Sequence, residues 1–414
     1  MGSIDDPQDF KRGLERQRRL LRDSEEVHDA DREQIRRWIR RKDGSVAPGS
    51  LKTYLRRVRA ASERSDVPLL EMDIDDFYDL VFCLRHEWDL ADSTVQSYEN
   101  ATLLFLGDVT GADWIDDVER TRIDREGPDP DAMLEPRDIA ALVRTARHQR
   151  DVAFIEFLAD TGARLSLALS LRVGDLDLSD PPTYQPNRDA LGLKGAPIRS
   201  YPLIDSAAAI RSYLRTAHPR PDDPGAALFH KIKPHARGEN GERWTDEGAV
   251  NPHSANQQLK RIADRADLDK PVSPHAFRHA AITRMVREGY SRSQIEHRVH
   301  WTLDTDMWRI YEHISSDEHN DDIFREAGLL DPDDGPDRVR KDCGNCRTAI
   351  APHHEFCPNC GQPASPGAAG DVADGKNTIL EELVDAANPA LREELAELLD
   401  RIDERPDRVR RSDH

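Results

Sequence analysis

Residues 270–286 read KPVSPHAFRHAAITRMV. Ser273 is a natural N-cap and Pro274 a natural first helical residue, so a helix starts here. His275 and Arg278 are then three positions apart, on one face of its first turn. A helix N-terminus that also presents an imidazole and a guanidinium favours an anion, most naturally a phosphate. His279 lies one residue on and points elsewhere; it reads equally well as a packing histidine and as a supporting one.

Three further segments have to be weighed with this one. In ADTGARLSLALSLRVGDL (159–176), Thr161-Gly162 makes a turn between two apolar helices. Arg164 follows directly and faces away from the core that Leu165, Leu169 and Leu171 fill. In LGLKGAPIRSYPLI (191–204), Lys194-Gly195 is a hairpin tip between short apolar strands. In RVHWTLDTDMWRIYEHI (298–314), Tyr311 shares a helical stretch with Met307, Ile310 and Ile314. Taken singly, each has a plain structural reading: a surface Arg, a solubilising turn Lys, a core Tyr.

The rest of the chain is mostly helical. Helices are expected over 10–42, 50–64, 74–88 and 92–107, making the N-terminal part a small all-helical unit. The polar, Pro- and Asp-rich REGPDPDAMLEPRD (125–138) marks a boundary. Helix is expected again over 136–172, 206–217 and 251–327, with short strands in 173–180 and 190–204. DPDDGPDR (331–338) and the small-residue PASPGAAGDVADG (363–375) read as linkers, and residues 377–404 as a final amphipathic helix with Leu380, Leu391, Leu395 and Leu398 among its apolar positions. The fold class is mainly α, with an α+β central domain containing a small antiparallel sheet. The domains are expected at 1–125, 126–330, 340–364 and 376–405.

The chain has 414 residues, enough for two to three domains. No run approaches 18 apolar residues and the N-terminus lacks the apolar core of a signal peptide, so a cytoplasmic protein without membrane partners is expected. Asp and Glu total 79 against 59 Lys and Arg, a net charge of -20. Acidic residues spread over nearly every segment suit the solvated surface of a halophile, where screening at about 1 M salt acts within roughly 3 Å. Against that background residues 11–64 hold 17 basic and 9 acidic side chains, while 65–135 hold 4 and 20. The first block is therefore a candidate DNA-facing surface, or simply a pair of charged helices.

Four of the five cysteines form CGNC (343–346) and CPNC (357–360). Two such turns supply four thiolates to one tetrahedral ion and leave no open position, so Cys343, Cys346, Cys357 and Cys360 read as a structural zinc ribbon. Zinc would then be the one cofactor, and not a catalytic one. Cys83, in the apolar VFCL, reads as a buried small hydrophobe.

In order along the chain, the segments give Arg164, Lys194, His275-x-x-Arg278, Trp301 and Tyr311. This resembles the tyrosine recombinase (phage integrase) family, Xer-type recombinases included, over residues 10–325. TGAR before a Leu-rich helix, PHAFRH, and WTLDTDMWRIYEH match three of its boxes, and residues 10–120 resemble its SAM-like core-binding domain. The resemblance implies a recombinase or integrase that cleaves and rejoins DNA through a 3′-phosphotyrosyl intermediate without metal or ATP. Tyr311 would be the nucleophile, Arg164 and Arg278 the phosphate clamp, and Lys194 the general acid. His275 would move a proton or orient the phosphate, and Trp301 would support the nucleophile helix. Partners would be double-stranded DNA at a specific site, three further copies in a homotetramer, and an accessory protein met through the C-terminal tail. Two departures stand out. Leu167 occupies a position where the family often has Glu, and His300 fills the usual Gly slot before Trp301. They motivate the alternative of a catalytically silent DNA-binding regulator or scaffold.

Overall fold

A computed structural model describes residues 3–123, 132–233, 246–302, 305, 308, 341–346, 348–351, 353–385, 389–404 and 406. The chain divides into two compact units: Met1–Glu126 with Asp189–Lys194, and Gly127–Arg188 with Gly195–His414.

The first unit contains α1 (Phe10–Asp23), α2 (Asp29–Lys42), α3 (Pro48–Ser62), α4 (Ile74–His86) and α5 (Asp92–Val109). Its core collects Leu21, Ile35, Trp38, Leu55, Phe77 and Phe105. Trp38 is enclosed, and its indole N–H reaches the Asp108 carboxylate at 2.7 Å, which satisfies its one polar group. Buried Asp31 accepts from Ser62 Oγ at 2.6 Å and from the Leu69 and Leu70 amides at 2.9 and 3.1 Å, tying α2 to α3 and the turn beyond. The stretch expected as one helix over 10–42 is two, because Ser24 leaves the helical conformation (ψ 128). Many bases of the 11–64 block, among them Lys11, Arg12, Arg16, Arg36, Arg40 and Arg56, are exposed.

The second unit is organised around α7 (Gln149–Thr161), flanked by α6 (Pro136–Thr145) and followed by α8 (Leu165–Ser170). Every residue of α7 from Ala153 to Thr161 is buried. It packs against α6, α9 (Ala207–Thr216) and α11 (Pro274–Arg287), with α10 (Pro252–Arg265) and α12 (Arg292–Arg298) completing the helical shell. Strands β1 (Leu176–Asp177), β2 (Thr183–Tyr184) and β3 (Tyr201–Pro202) form an antiparallel sheet in that order, with Tyr184 opposite Tyr201. The strands are only two residues long, so most of 190–200 is irregular where strand was expected.

Beyond them, β4 (Lys341–Asp342) pairs antiparallel with β5 (Ala349–Ile350). The presumed linker 363–375 is largely helical: α13 spans Pro366–Asp385. Ser365 caps it, its Oγ accepting from the Ala368 amide at 3.1 Å, and Pro366 opens the helix. Pro389 starts a separate α14 (Pro389–Glu404), so the single final helix expected over 377–404 is two that pack on each other. Cys83 is half-buried rather than buried, its thiol 3.3 Å from Glu87 Oε2. No described helix is long and apolar enough to cross a membrane.

The turn between α7 and α8 permits only glycine at its centre. Gly162 stands at φ 59, and a Cβ there would lie 3.1 Å from Ala281 Cβ on α11. Gly162→Ala therefore combines left-handed strain of about 1–2 kcal/mol with a forced separation of α7 from α11. Urea unfolding should show a loss of at least about 2 kcal/mol.

Candidate active site

α7 ends in its left-handed cap at Gly162, which turns the carbonyl of that residue toward α11. Arg278 donates from Nη1 to this carbonyl at 2.7 Å. Its guanidinium also lies over the Trp301 ring, 5.2 Å from the centroid. Arg278 is only 4% exposed, so the side chain is held in place by an acceptor on one side and an aromatic face on the other. Trp301 is itself buried and meets Trp308 edge-on at 5.5 Å, and the Trp308 indole donates to Glu296 at 2.8 Å. Arg164 occupies the N-cap position of α8, two residues after Gly162, and is half-buried. The close approach of α7 and α11 through Gly162 is what gathers these groups.

His300 occupies left-handed backbone at φ 59, which glycine adopts at no cost and His tolerates better than most residues. Its Nε2 pairs with Tyr184 Oη at 2.7 Å beneath the sheet. Burial, and then the charges of Arg278, Arg298 and Arg164, hold its pKa well below the ordinary histidine value. The ring is therefore neutral at pH 7, and three guanidiniums lie close enough to oppose its protonation. His275 is exposed on the first turn of α11, where Ser273 caps the helix, its Oγ accepting from the Ala276 amide at 3.2 Å. The Nε2 atoms of His275 and His279 face each other at 2.9 Å. Burial, with His275 and Arg278 nearby, lowers His279 to about 4.

Beneath this surface lies a brace that the sequence reading missed. Asp160 is completely buried, and its Oδ2 accepts from the Ile204, Asp205 and Ser206 amides at 2.9, 3.1 and 3.1 Å and from Ser206 Oγ at 2.8 Å. Its other oxygen takes Arg298 Nη2 at 2.6 Å, while Arg298 Nη1 reaches the Pro202 carbonyl at 2.6 Å. Arg284 bonds the Asp160 carbonyl at 3.1 Å and Asp205 at 2.8 Å. Burial alone would raise the Asp160 carboxyl, but Arg298, Arg284 and these hydrogen bonds outweigh it and hold it at about 2. The aspartate directly before Thr-Gly was the one visible signal; its arginine partners are over 100 residues away.

Lys194 is exposed at φ 51 and belongs to Asp189–Lys194, which pack with the first unit: the Leu191 amide donates to the Asp5 carbonyl at 2.7 Å. Tyr311 lies outside the described residues. Leu167 is buried in the apolar core of the second unit. Cys343, Cys346, Cys357 and Cys360 come together, with Sγ–Sγ separations of 3.6 Å (343 to 360) and 3.5 Å (346 to 357). Those spacings are close to the edge of a tetrahedron built on bonds of about 2.3 Å, so the donor set fits a zinc-type ion.

Residues 132–318 match the phage integrase family. The tyrosine recombinase XerD of Corynebacterium glutamicum is 31% identical over 224 residues, covering 52% of this chain and 66% of its own length. An integrase/recombinase of Escherichia coli is 27% identical over 259 residues, covering 56% of this chain and 74% of its own. The chain thus spans just under two thirds of the first relative. Among solved structures, a Tn1549 transposon integrase in complex with a circular intermediate DNA aligns with a TM-score of 0.52 at 15% identity, over 71% of this chain and 98% of that one. That likeness shows the integrase fold.

Asp160→Asn leaves Arg298 and Arg284 without a shared counter-charge in a dry site, and should cost about 3–5 kcal/mol in urea unfolding. The native carboxyl titrates at about 2 against 3.8 ordinarily, so its contribution is complete above about pH 4 and disappears as the pH falls through 2. His300 acts higher on the scale. The unfolded imidazole takes up a proton below about pH 6.5 that the folded one resists, so stability falls as the pH drops below that value. His300→Asn, whose amide suits the left-handed backbone, should make this slope shallower by the share of one proton, the rest coming from other histidines lowered by burial such as His279; an unchanged slope would contradict a neutral buried His300.

Proposed function

We propose that this chain, whose residues 132–318 match the phage integrase family, is a tyrosine-type site-specific recombinase that breaks and rejoins DNA strands. The observation that carries the reading is Arg278, fixed between the Gly162 carbonyl and the Trp301 face, with half-buried Arg164 two residues after Gly162 and both guanidiniums opposing the protonation of His300. A guanidinium held in this way, joined by a second, would suit the non-bridging oxygens of one phosphodiester. Their donors need no reorganisation as negative charge develops, and their planar forks match phosphate better than ammonium groups do.

In the proposed reaction the Tyr311 phenolic oxygen attacks phosphorus and the 5′-oxygen leaves. The product is a 3′-phosphotyrosyl bond, and a 5′-hydroxyl of another strand reverses the step to rejoin DNA. Arg164 and Arg278 bear the charge of the transition state. Lys194 gives a proton to the leaving 5′-oxygen, and its exposed position in left-handed backbone leaves the ammonium unburied. His275, exposed at the amino end of α11, accepts the phenolic proton or orients the phosphate, with His279 behind it. Trp301 positions Arg278 through its ring. His300, kept neutral, adds no competing positive charge beneath the clamp.

The double-stranded DNA partner is consistent with the exposed bases of residues 11–64, which would contact phosphates and set register. A tetramer on two duplexes follows from strand exchange, and residues 341–404 offer the tail for contacts with a neighbouring copy or an accessory protein. The four cysteines would hold a structural zinc ion, which supplies folding free energy to the ribbon and takes no part in strand cleavage. The acidic surplus supports a high-salt cytoplasm, and the proposed DNA substrate would associate the protein with the nucleoid there.

A nicked suicide duplex carrying the target site should trap a covalent protein–DNA adduct with the native chain and none with Tyr311→Phe. Arg278→Lys should bind the duplex yet cleave it at least about a hundredfold more slowly. Normal binding without any adduct from the native chain would establish the silent regulator instead. Unfolding free energy measured against KCl should rise into the molar range; a maximum below about 0.2 M would contradict the high-salt assignment.

A further inference from the structure

The loop between the two cysteine knuckles reads A351-P-H-H-E-F356 and faces the second unit's own central helix. His353 Nε2 lies 2.7 Å from Glu156 Oε2 on α7, and His354 Nε2 lies 3.1 Å from the same oxygen. The three side chains are 3%, 7% and 5% exposed. The two imidazoles meet edge to face at 4.4 Å, so both present a ring nitrogen to one point. All three donor atoms lie within 4.8 Å of one another. Beside them, Arg144 of α6 pairs with Glu355.

We propose that Glu156, His353 and His354 hold a second divalent metal ion of the zinc class, separate from the four-cysteine site, which staples the ribbon to α7. Two nitrogens and one carboxylate oxygen are the donor set of many zinc centres. Bonds of about 2.0–2.1 Å set ligand–ligand distances a few tenths of an ångström beyond the observed 2.7 and 3.1 Å, a movement that rotation of the side chains supplies. Three protein donors leave a fourth position for water, and burial makes that water slow to exchange, so the ion cross-links rather than catalyses. Its place in the fold gives it a consequence. Glu156 is one helical turn before Asp160 on α7, so the staple joins the ribbon to the helix that carries the brace beneath Arg278.

The test is metal content of the full-length chain, with zinc and then with cobalt. Zinc-loaded protein should contain two ions per chain. Cobalt should also bind twice, with thiolate charge-transfer bands accounting for one equivalent only. Glu156→Gln, and separately the double variant His353→Gln/His354→Gln, should each lose one ion and keep the full thiolate bands; the second variant guards against misfolding of α7. A native chain that holds one equivalent, all of it thiolate-bound, would overturn the proposal and leave the three residues as a hydrogen-bonded dock. Two ions retained in both variants would overturn it equally. The thiolate bands report the cysteine site on their own, so its failure is distinguishable from failure of this one.

Discussion

A single buried carboxylate organises the second unit. Asp160 has no access to water, and it pulls the residues leading into α9, the side chain of Arg298 and, through Asp205, Arg284 toward the end of α7. Burying an aspartate is costly unless every lone pair is used, and here each oxygen is used. The anion also gathers the three amides that lead into α9, next to the positive end of that helix. Remove it and three elements lose their common anchor. The geometry above it, from the Gly162 turn to Arg278 and Trp301, depends on α7, α11 and α12 keeping their places.

Positive charge is concentrated on this framework. Arg164, Arg278 and Arg298 all oppose protonation of His300, and Arg298 is also bonded to the buried Asp160 carboxylate. The chain as a whole is strongly acidic, so the clamp is a local exception built by nonlocal packing. In the proposed reading such a site would bind a phosphate through short contacts, with no need of a long-range field. A net charge of -20 is then compatible with the proposed nucleic-acid substrate, because added salt screens distant repulsion far more than it weakens a short contact.

Local chemistry was legible in the sequence and nonlocal chemistry was not. Ser273-Pro274 announces a helix start because capping is decided within four residues, and Thr161-Gly162 announces a turn because glycine adopts left-handed backbone without strain. The Asp160–Arg298–Arg284 brace was hidden because its members lie far apart in the chain and each reads as an ordinary charged residue. Glu156 with His353 and His354 was hidden for the same reason. The small residues at 366–375 suggested a linker; Ser365 and Pro366 outweigh that composition by starting a helix that α14 then covers. His300 was recognised as standing in a glycine position, but its neutrality follows from burial among guanidiniums, which no motif displays.

The account depends on one oxygen atom. Mass spectrometry of the trapped adduct, after nuclease and protease digestion, identifies the residue that carries the nucleotide. The account predicts that the 3′-phosphate remains on the peptide containing Tyr311. A nucleotide on any other residue, or intact unmodified Tyr311 in a chain that has demonstrably cleaved its duplex, would contradict it.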